Sequence, residues 1–168
     1  MTPPGSASLL LTMFNTAAPD DAERDVTRCC ASRPFAEAIV AGRPYQDFDA
    51  LDAAIDAGFT GLGWSDVAEA LHDHPRIGDE AASGWSRAEQ AGAAAAPSDV
   101  AAALADGNRA YEDRFGHVFL ICATGLSGEQ VLAALRYRLG NDPAEEHRIV
   151  SDELRKITKL RLRKLLGG

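Results

Sequence analysis

The chain contains a single strand-like run. "VFLICATG" (Val118–Gly125) is continuously apolar and rich in β-favouring residues, and no second run of this kind exists for it to pair with. A strand without a partner leaves its N–H and C=O groups unsatisfied, so a sheet cannot organise this chain. Elsewhere apolar residues recur at helical spacing, and the breaks carry Pro, Gly, Asn or Asp. The pattern predicts an all-α, single-domain bundle of about eight or nine helices, near 8–17, 20–31, 34–41, 47–58, 64–73, 86–95, 98–115, 127–140 and 143–166. Residues 1–168 are expected to form one domain, with 1–7 as a flexible leader. In "AGAAAAPSDVAAALADG", Pro97 with Ser98 and Asp99 supplies a break and a new N-cap, so two ordinary helices account for the alanine-rich run. By pattern alone "VFLICATG" is a buried helical turn. The sharper alternative is an irregular pocket wall whose backbone binds a polar ligand.

Charge and cysteine content narrow the function classes. Lys+Arg total 17 against Asp+Glu 25, a formal charge of −8, which disfavours nucleic acid and anionic membranes and favours a small-molecule role. The three cysteines are odd in number and form no C-x-x-C, so neither a disulfide framework nor a zinc site is suggested, and a reducing cytoplasm is expected. No apolar stretch approaches the ~20 residues a bilayer span needs. "MTPPGSASLL" lacks the basic region of a secretory signal, and "LLGG" is not an S-K-L address.

Three places hold polar side chains where helical spacing predicts an apolar or structural role. On the C-terminal helix, Val150, Leu154, Ile157 and Leu165 share a stripe whose centre, about 20° from Val150, is Arg161. A guanidinium aimed into a core cannot lose its proton and must meet an anion or several acceptors. It could pair with a buried carboxylate, snorkel past the helix edge, or clamp a substrate carboxylate or ureido group. Arg155, Lys156, Lys159 and Arg163 fall on the opposite face as ordinary surface charges. In "WSRAEQAG", Ser86-x-x-Glu89 reads as a capping box, with Ser86 as N-cap and Trp85 as a staple. Ser86, Glu89 and Gln90 would then project polar atoms around one helix end. In "GWSDVAEALHDHPRIGD", Val67, Leu71 and His74 follow i, i+4, i+7, and Pro75 turns His74 out of helical geometry at the helix terminus. Taken alone, His74 is more often a hydrogen-bonded core residue than a catalyst. His72 should point elsewhere, and Asp73 should cap or face solvent.

The adjacent His72-Asp73 pair raises a metal-dependent hydrolase as an alternative. The other histidines are 74, 117 and 147, so no upstream ligand exists, and residues two apart do not share a helix face. No metal is expected.

"HPRIG" (His74–Gly78), "SRAEQAG" (Ser86–Gly92), "NRAYEDRFGHVFLICATG" (Asn108–Gly125), "RLGNDPAEE" (Arg138–Glu146) and "ELRKITKLRL" (Glu153–Leu162) stand in the order and spacing of the 2-oxo-4-hydroxy-4-carboxy-5-ureidoimidazoline (OHCU) decarboxylases of urate degradation. "FN", "CCASRPF" and "RPYQDFDAL" also resemble that family, so the likeness runs from about Leu9 to Leu166. The resemblance implies an all-α fold and decarboxylation of OHCU to (S)-allantoin. It makes His74 the catalytic acid, with Glu89 orienting it or keeping it charged. It places Pro75, Ser86 and Gln90 against the substrate, makes the main chain of Phe119, Leu120, Ile121, Cys122 and Ala123 the pocket wall, and makes Arg161 the substrate clamp. It also implies a cytoplasmic homodimer acting after urate oxidase and hydroxyisourate hydrolase. No cofactor is implied, because electrons released with CO2 can pass into the substrate's adjacent C=N. The competing function class is a helical interaction module in which His74, the capping box and Arg161 are all structural.

Overall fold

Short polar side chains and prolines fix where the helices of this chain begin. The computed structural model describes residues 8–78 and 84–168, and the leader expected over 1–7 lies outside the described residues. Ser8 accepts from Leu11 N at the start of α1 (Leu9–Thr16), and Pro19 opens α2 (Pro19–Cys29) with Asp20 and Asp21 in its first turn. Ser32 caps α3 (Arg33–Ala41) and Asp47 caps α4 (Phe48–Thr60), each accepting from the main-chain N–H three residues on. There follow α5 (Trp64–Leu71), α6 (Gly84–Glu89), α7 (Ala91–Ala94), α8 (Ser98–Phe115), α9 (Gly128–Arg138) and α10 (Pro143–Leu165). The fold is all-α, with ten helices and no strand among the described residues.

Two compact units emerge from the packing, one taking the chain up to Ala70 and again Arg155–Gly168, the other Leu71–Leu154. In the first, the two upstream motifs lock together. Asn15 of "FN" donates Nδ2–H to Tyr45 O (2.8 Å) and accepts from Tyr45 N (2.9 Å). Arg43 of "RPY" donates Nη1–H to the carbonyls of Phe14 (2.6 Å) and Ala17 (2.9 Å), satisfying the end of α1. Leu11, Val26, Phe35, Ile39, Leu51, Ile55 and Leu162 are buried in this unit. The core of the second unit is built on Tyr111, Phe119, Leu104, Val131 and Leu135, with Ile77 and Ala93 joining it.

Several expectations are corrected. The helix expected over 86–95 is two, because Gln90 leaves helical geometry (φ −97°, ψ 13°) between α6 and α7 while Gln90 N still reaches Ser86 O (3.0 Å). The expectation of about eight or nine helices stands, with eight helices of seven or more residues and the two short ones, α6 and α7, among the described residues. Since α6 begins at Gly84, Ser86 lies inside the helix rather than capping it, and Trp85 is no outside staple. A capping box does form at the start of α9, from Ser127 and Gln130: Ser127 Oγ accepts from Gln130 N (3.2 Å), and Gln130 Oε1 accepts from Ser127 N (2.9 Å). At α8 the N-cap is Pro97, not Ser98 or Asp99, and no side chain caps it. Arg155, Lys159 and Arg163 are not ordinary surface charges. Arg155 and Lys159 each reach Asp56 at 2.7 Å, and Arg163 reaches Asp52 at 2.8 Å, so α10 and α4 are joined by a ladder of ion pairs.

Candidate active site

Helix α5 ends at Leu71 because Pro75 can neither donate a main-chain hydrogen bond nor tolerate a helical predecessor. His74 N–H still donates to Leu71 O (3.0 Å), and the His74 side chain is half-buried beyond the stripe of Val67 and Leu71. His72 and Asp73 are both exposed. The loop that follows is fastened at consecutive residues. Arg76 forks onto Glu112 of α8 (Nε to Oε1 2.5 Å, Nη2 to Oε2 2.8 Å), and this contact holds the Glu112 carboxyl below its usual value. The buried amide of Asn108 donates to Ile77 O (3.0 Å), with Ile77 itself in the core. Gly78 adopts φ +81°, a conformation that favours glycine, and donates its N–H to Gln90 Oε1 (3.0 Å). That last bond joins "HPRIG" to "SRAEQAG": the loop carrying His74 and Pro75 is tied to the helix end carrying Ser86 and Glu89. Pro75, Ser86 and Glu89 are half-buried, and Gln90 is buried with its oxygen committed to Gly78. Gly92 ends the second motif for a steric reason, since a Cβ there would overlap the carbonyl of Leu126.

Residues 118–123 are neither strand nor helix, so the helical turn favoured by pattern gives way to irregular main chain. Phe119, Leu120 and Ala123 are buried, and Ile121 and Cys122 half-buried. Side chains take the place of a partner strand. Arg138 Nη1–H donates to Leu120 O (2.7 Å), and Cys122 N–H donates to Glu153 Oε2 (2.7 Å).

This arrangement exposes residues that the sequence reading missed. Glu146 is fully buried and accepts from Arg138 Nε (2.7 Å) and Nη2 (2.5 Å), Tyr111 Oη (2.5 Å) and Asn141 Nδ2 (3.0 Å). The Arg138 guanidinium lies 4.5 Å from the centroid of the Phe119 ring. Burial by itself would raise the Glu146 carboxyl, but the bonds from Arg138, Tyr111 and Asn141 together hold it below its ordinary value. Burial and then Glu146 push the Tyr111 phenol upward, so it stays a donor. Arg138 and Glu146 bracket "RLGNDPAEE", whose Arg, Asn and Glu spacing was the available signal. Charged and amide residues of these types are common on surfaces, so nothing in the string by itself marks a buried cluster.

Arg161 is buried as its place on the apolar stripe required, at 9% exposure, and belongs to the first unit. The other candidate residues, from His74 to Ala123, belong to the second. Near Arg161 stand the thiols of Cys29 and Cys30. Burial raises them to about 12 and about 11 despite the lowering influence of the guanidinium, so both are neutral thiols.

The family model for OHCU decarboxylase matches residues 15–163. The chain is 36% identical over 147 residues to the uric acid degradation bifunctional protein TTL of Arabidopsis thaliana, covering 83% of this chain and 45% of that protein, so it spans less than half the length of that relative. It is 33% identical over 138 residues to the 2-oxo-4-hydroxy-4-carboxy-5-ureidoimidazoline decarboxylase of Amia calva, covering 78% and 79% of the two chains. Its fold superposes on a crystal structure of OHCU decarboxylase in the presence of (S)-allantoin with a TM-score of 0.75 at 31% identity, over 90% of this chain and all of that one. An (S)-allantoin synthase structure shares the fold (TM-score 0.72) at 19% identity, over 93% of this chain and 54% of that one. With its motifs in register and the family match spanning nearly all of its length, the chain belongs to the OHCU decarboxylase family.

Proposed function

We propose that this chain, acting as one domain, decarboxylates OHCU to (S)-allantoin, and that it does so without a cofactor. The carboxylate leaves as CO2, and its bonding pair moves toward the adjacent C=N of the ring. The resulting enol becomes a carbonyl as a proton is added to the ureido-bearing carbon. The substrate is thus its own electron sink, and the protein has only to position the ring, stabilise developing charge and choose the face that is protonated. On this reading His74 donates that proton, which an imidazole can do near neutral pH, and Glu89 orients it or keeps it charged. Pro75, Ser86 and the Nε2 of Gln90 contact the ring, main-chain groups of residues 119–123 recognise its polar edge, and Arg161 clamps an anionic or ureido group. The protein would work as a cytoplasmic homodimer, receiving its substrate from urate oxidase and then hydroxyisourate hydrolase.

The observation that carries this reading is the Gly78–Gln90 bond, which fastens the His74 loop to the helix bearing Ser86 and Glu89 within a chain that belongs to the family. The test is a coupled assay in which urate, a urate oxidase and a hydroxyisourate hydrolase supply OHCU. Added protein should accelerate the appearance of optically active allantoin, whereas an unchanged racemic time course would leave only the interaction-module reading. His74→Asn should fold normally and lose at least ~10²-fold in kcat. Turnover near that of the unsubstituted protein would remove His74 from the chemistry.

A further inference from the structure

The wall at 118–123 is held by charged side chains on both sides of one residue, Ile121. Leu120 O belongs to the peptide joining 120 to 121 and accepts from Arg138 Nη1 (2.7 Å). Cys122 N belongs to the peptide joining 121 to 122 and donates to Glu153 Oε2 (2.7 Å). Both peptides are trans, and in a planar trans peptide the N–H and C=O point in opposite directions. The Ile121 N–H is therefore directed away from Arg138, and the Ile121 C=O away from Glu153. Each contact also polarises the peptide it touches. A cation at the Leu120 carbonyl makes the Ile121 N–H a stronger donor, and an anion at the Cys122 N–H makes the Ile121 carbonyl a stronger acceptor.

Arg138 is itself fixed by Glu146, whose carboxylate is held in turn by Tyr111 and Asn141, all in the same unit. A buried ion pair is a poor route to stability, because hydrophobic residues of similar volume would serve at least as well. What such a pair can supply that an apolar core cannot is a fixed, charged donor aimed at one carbonyl.

We infer that Glu153, acting together with the Glu146-anchored Arg138, is a positioning residue that sets the Ile121 N–H and C=O as a matched donor and acceptor for an amide or ureido edge of the ligand. This inference rests on the functional reading above, in which the wall meets the substrate, and it adds residues that never touch the ligand.

The experiment compares Glu153→Ala, Glu153→Gln and Glu153→Asp in the full chain, reading KM and kcat on OHCU, the Kd for (S)-allantoin, the thermal midpoint and the amide exchange of Ile121 and Cys122. Glu153→Ala should raise KM and the (S)-allantoin Kd about tenfold while kcat stays within about twofold. Glu153→Gln, which keeps an acceptor oxygen, should recover to within about threefold of the unsubstituted protein. Affinity unchanged in Glu153→Ala would overturn the inference, as would kcat, KM and thermal midpoint deteriorating together with glutamine no better than alanine. Should Glu153→Ala fail to fold, the shorter Glu153→Asp decides: a KM raised at least about threefold with kcat retained supports the clamp, and an unchanged KM sinks it. Should the unsubstituted protein neither turn over OHCU nor bind (S)-allantoin, the functional reading fails by itself. The clamp is then judged on Cys122 amide exchange, which Glu153→Ala must accelerate about tenfold or more, and equal exchange ends it.

Discussion

Arg138 and Arg161 are both buried arginines, and their neighbourhoods differ. Arg138 is enclosed by Glu146, by the carbonyl of Leu120 and by the face of Phe119. Arg161 has beside it two thiols that burial keeps neutral. An arginine wrapped by a carboxylate spends its charge inside the protein, so its removal strands a buried anion. An arginine bordered by neutral thiols keeps its positive field undiminished by them. Equal burial therefore does not imply equal role: Arg138 organises the main chain of its own unit, and substitution of Arg161 tests whether it does the same or holds an anion as proposed.

The largest effect should come from Arg138→Met, which leaves Glu146 charged and buried with only Tyr111 and Asn141. A loss of about 3–5 kcal/mol is expected by denaturant or thermal unfolding. A loss under about 1 kcal/mol would mean the pair is not what holds this region, and the contrast between the two arginines would collapse. Next is Arg161→Met, expected to reduce kcat/KM on OHCU by on the order of 10²-fold or more while leaving the thermal midpoint nearly intact. Arg161→Lys should rescue poorly, since a point charge cannot reproduce a planar fork. Stability and activity falling in parallel would make Arg161 a core residue of the Arg138 kind.

A smaller effect concerns pH. The folded Glu146 carboxyl lies below its unfolded value, so its contribution is complete above about pH 4.3 and is lost as pH falls through the folded value. Tyr111→Phe removes one bond that lowers the folded value. It should cost roughly 1–2 kcal/mol near neutrality and move the acid-unfolding midpoint to higher pH. Unfolding curves taken from pH 6 to pH 3 would check this, and an unmoved midpoint would remove Glu146 from acid sensitivity. The smallest effect is expected of Asp56→Asn. Asp56 pairs with Arg155 and Lys159, and those bonds hold its carboxyl below the usual value, but its side chain is 47% exposed. Its loss should cost less than about 1 kcal/mol and vanish at high salt. A larger, salt-independent loss would place this ladder with the buried pair.

Much of this is legible in the amino-acid sequence. Helical spacing located the helices to within a few residues, and the wheel centred on Val150 foretold the burial of Arg161. The i, i+4, i+7 spacing ending at Pro75 foretold a helix stop next to His74 with His72 pointing elsewhere, and in the structure His72 and Asp73 are both exposed. Errors arose where a local signal was satisfied elsewhere in the fold. Ser86-x-x-Glu89 has the form of a capping box, but α6 starts earlier and Gln90 is drawn to Gly78. "VFLICATG" has the hydropathy of a buried turn, but Arg138 and Glu153 supply the partners that let it remain irregular. Arg155, Lys159 and Arg163 have the pattern of a solvated face, but α4 brings Asp52 and Asp56 to them.

The sequence by itself determined the all-α class, because a single strand-like run cannot make a sheet and helical periodicity is written into residues three and four apart. It also determined the family, since the motifs are contiguous strings with ordered spacing. Only the tertiary structure decided which polar groups meet. Gly78 finds Gln90, Leu120 finds Arg138, and Cys122 finds Glu153, 31 residues away along the chain. Hydrogen bonding demands partners within about 3 Å, and no periodicity in a sequence specifies distances between segments that periodicity does not relate.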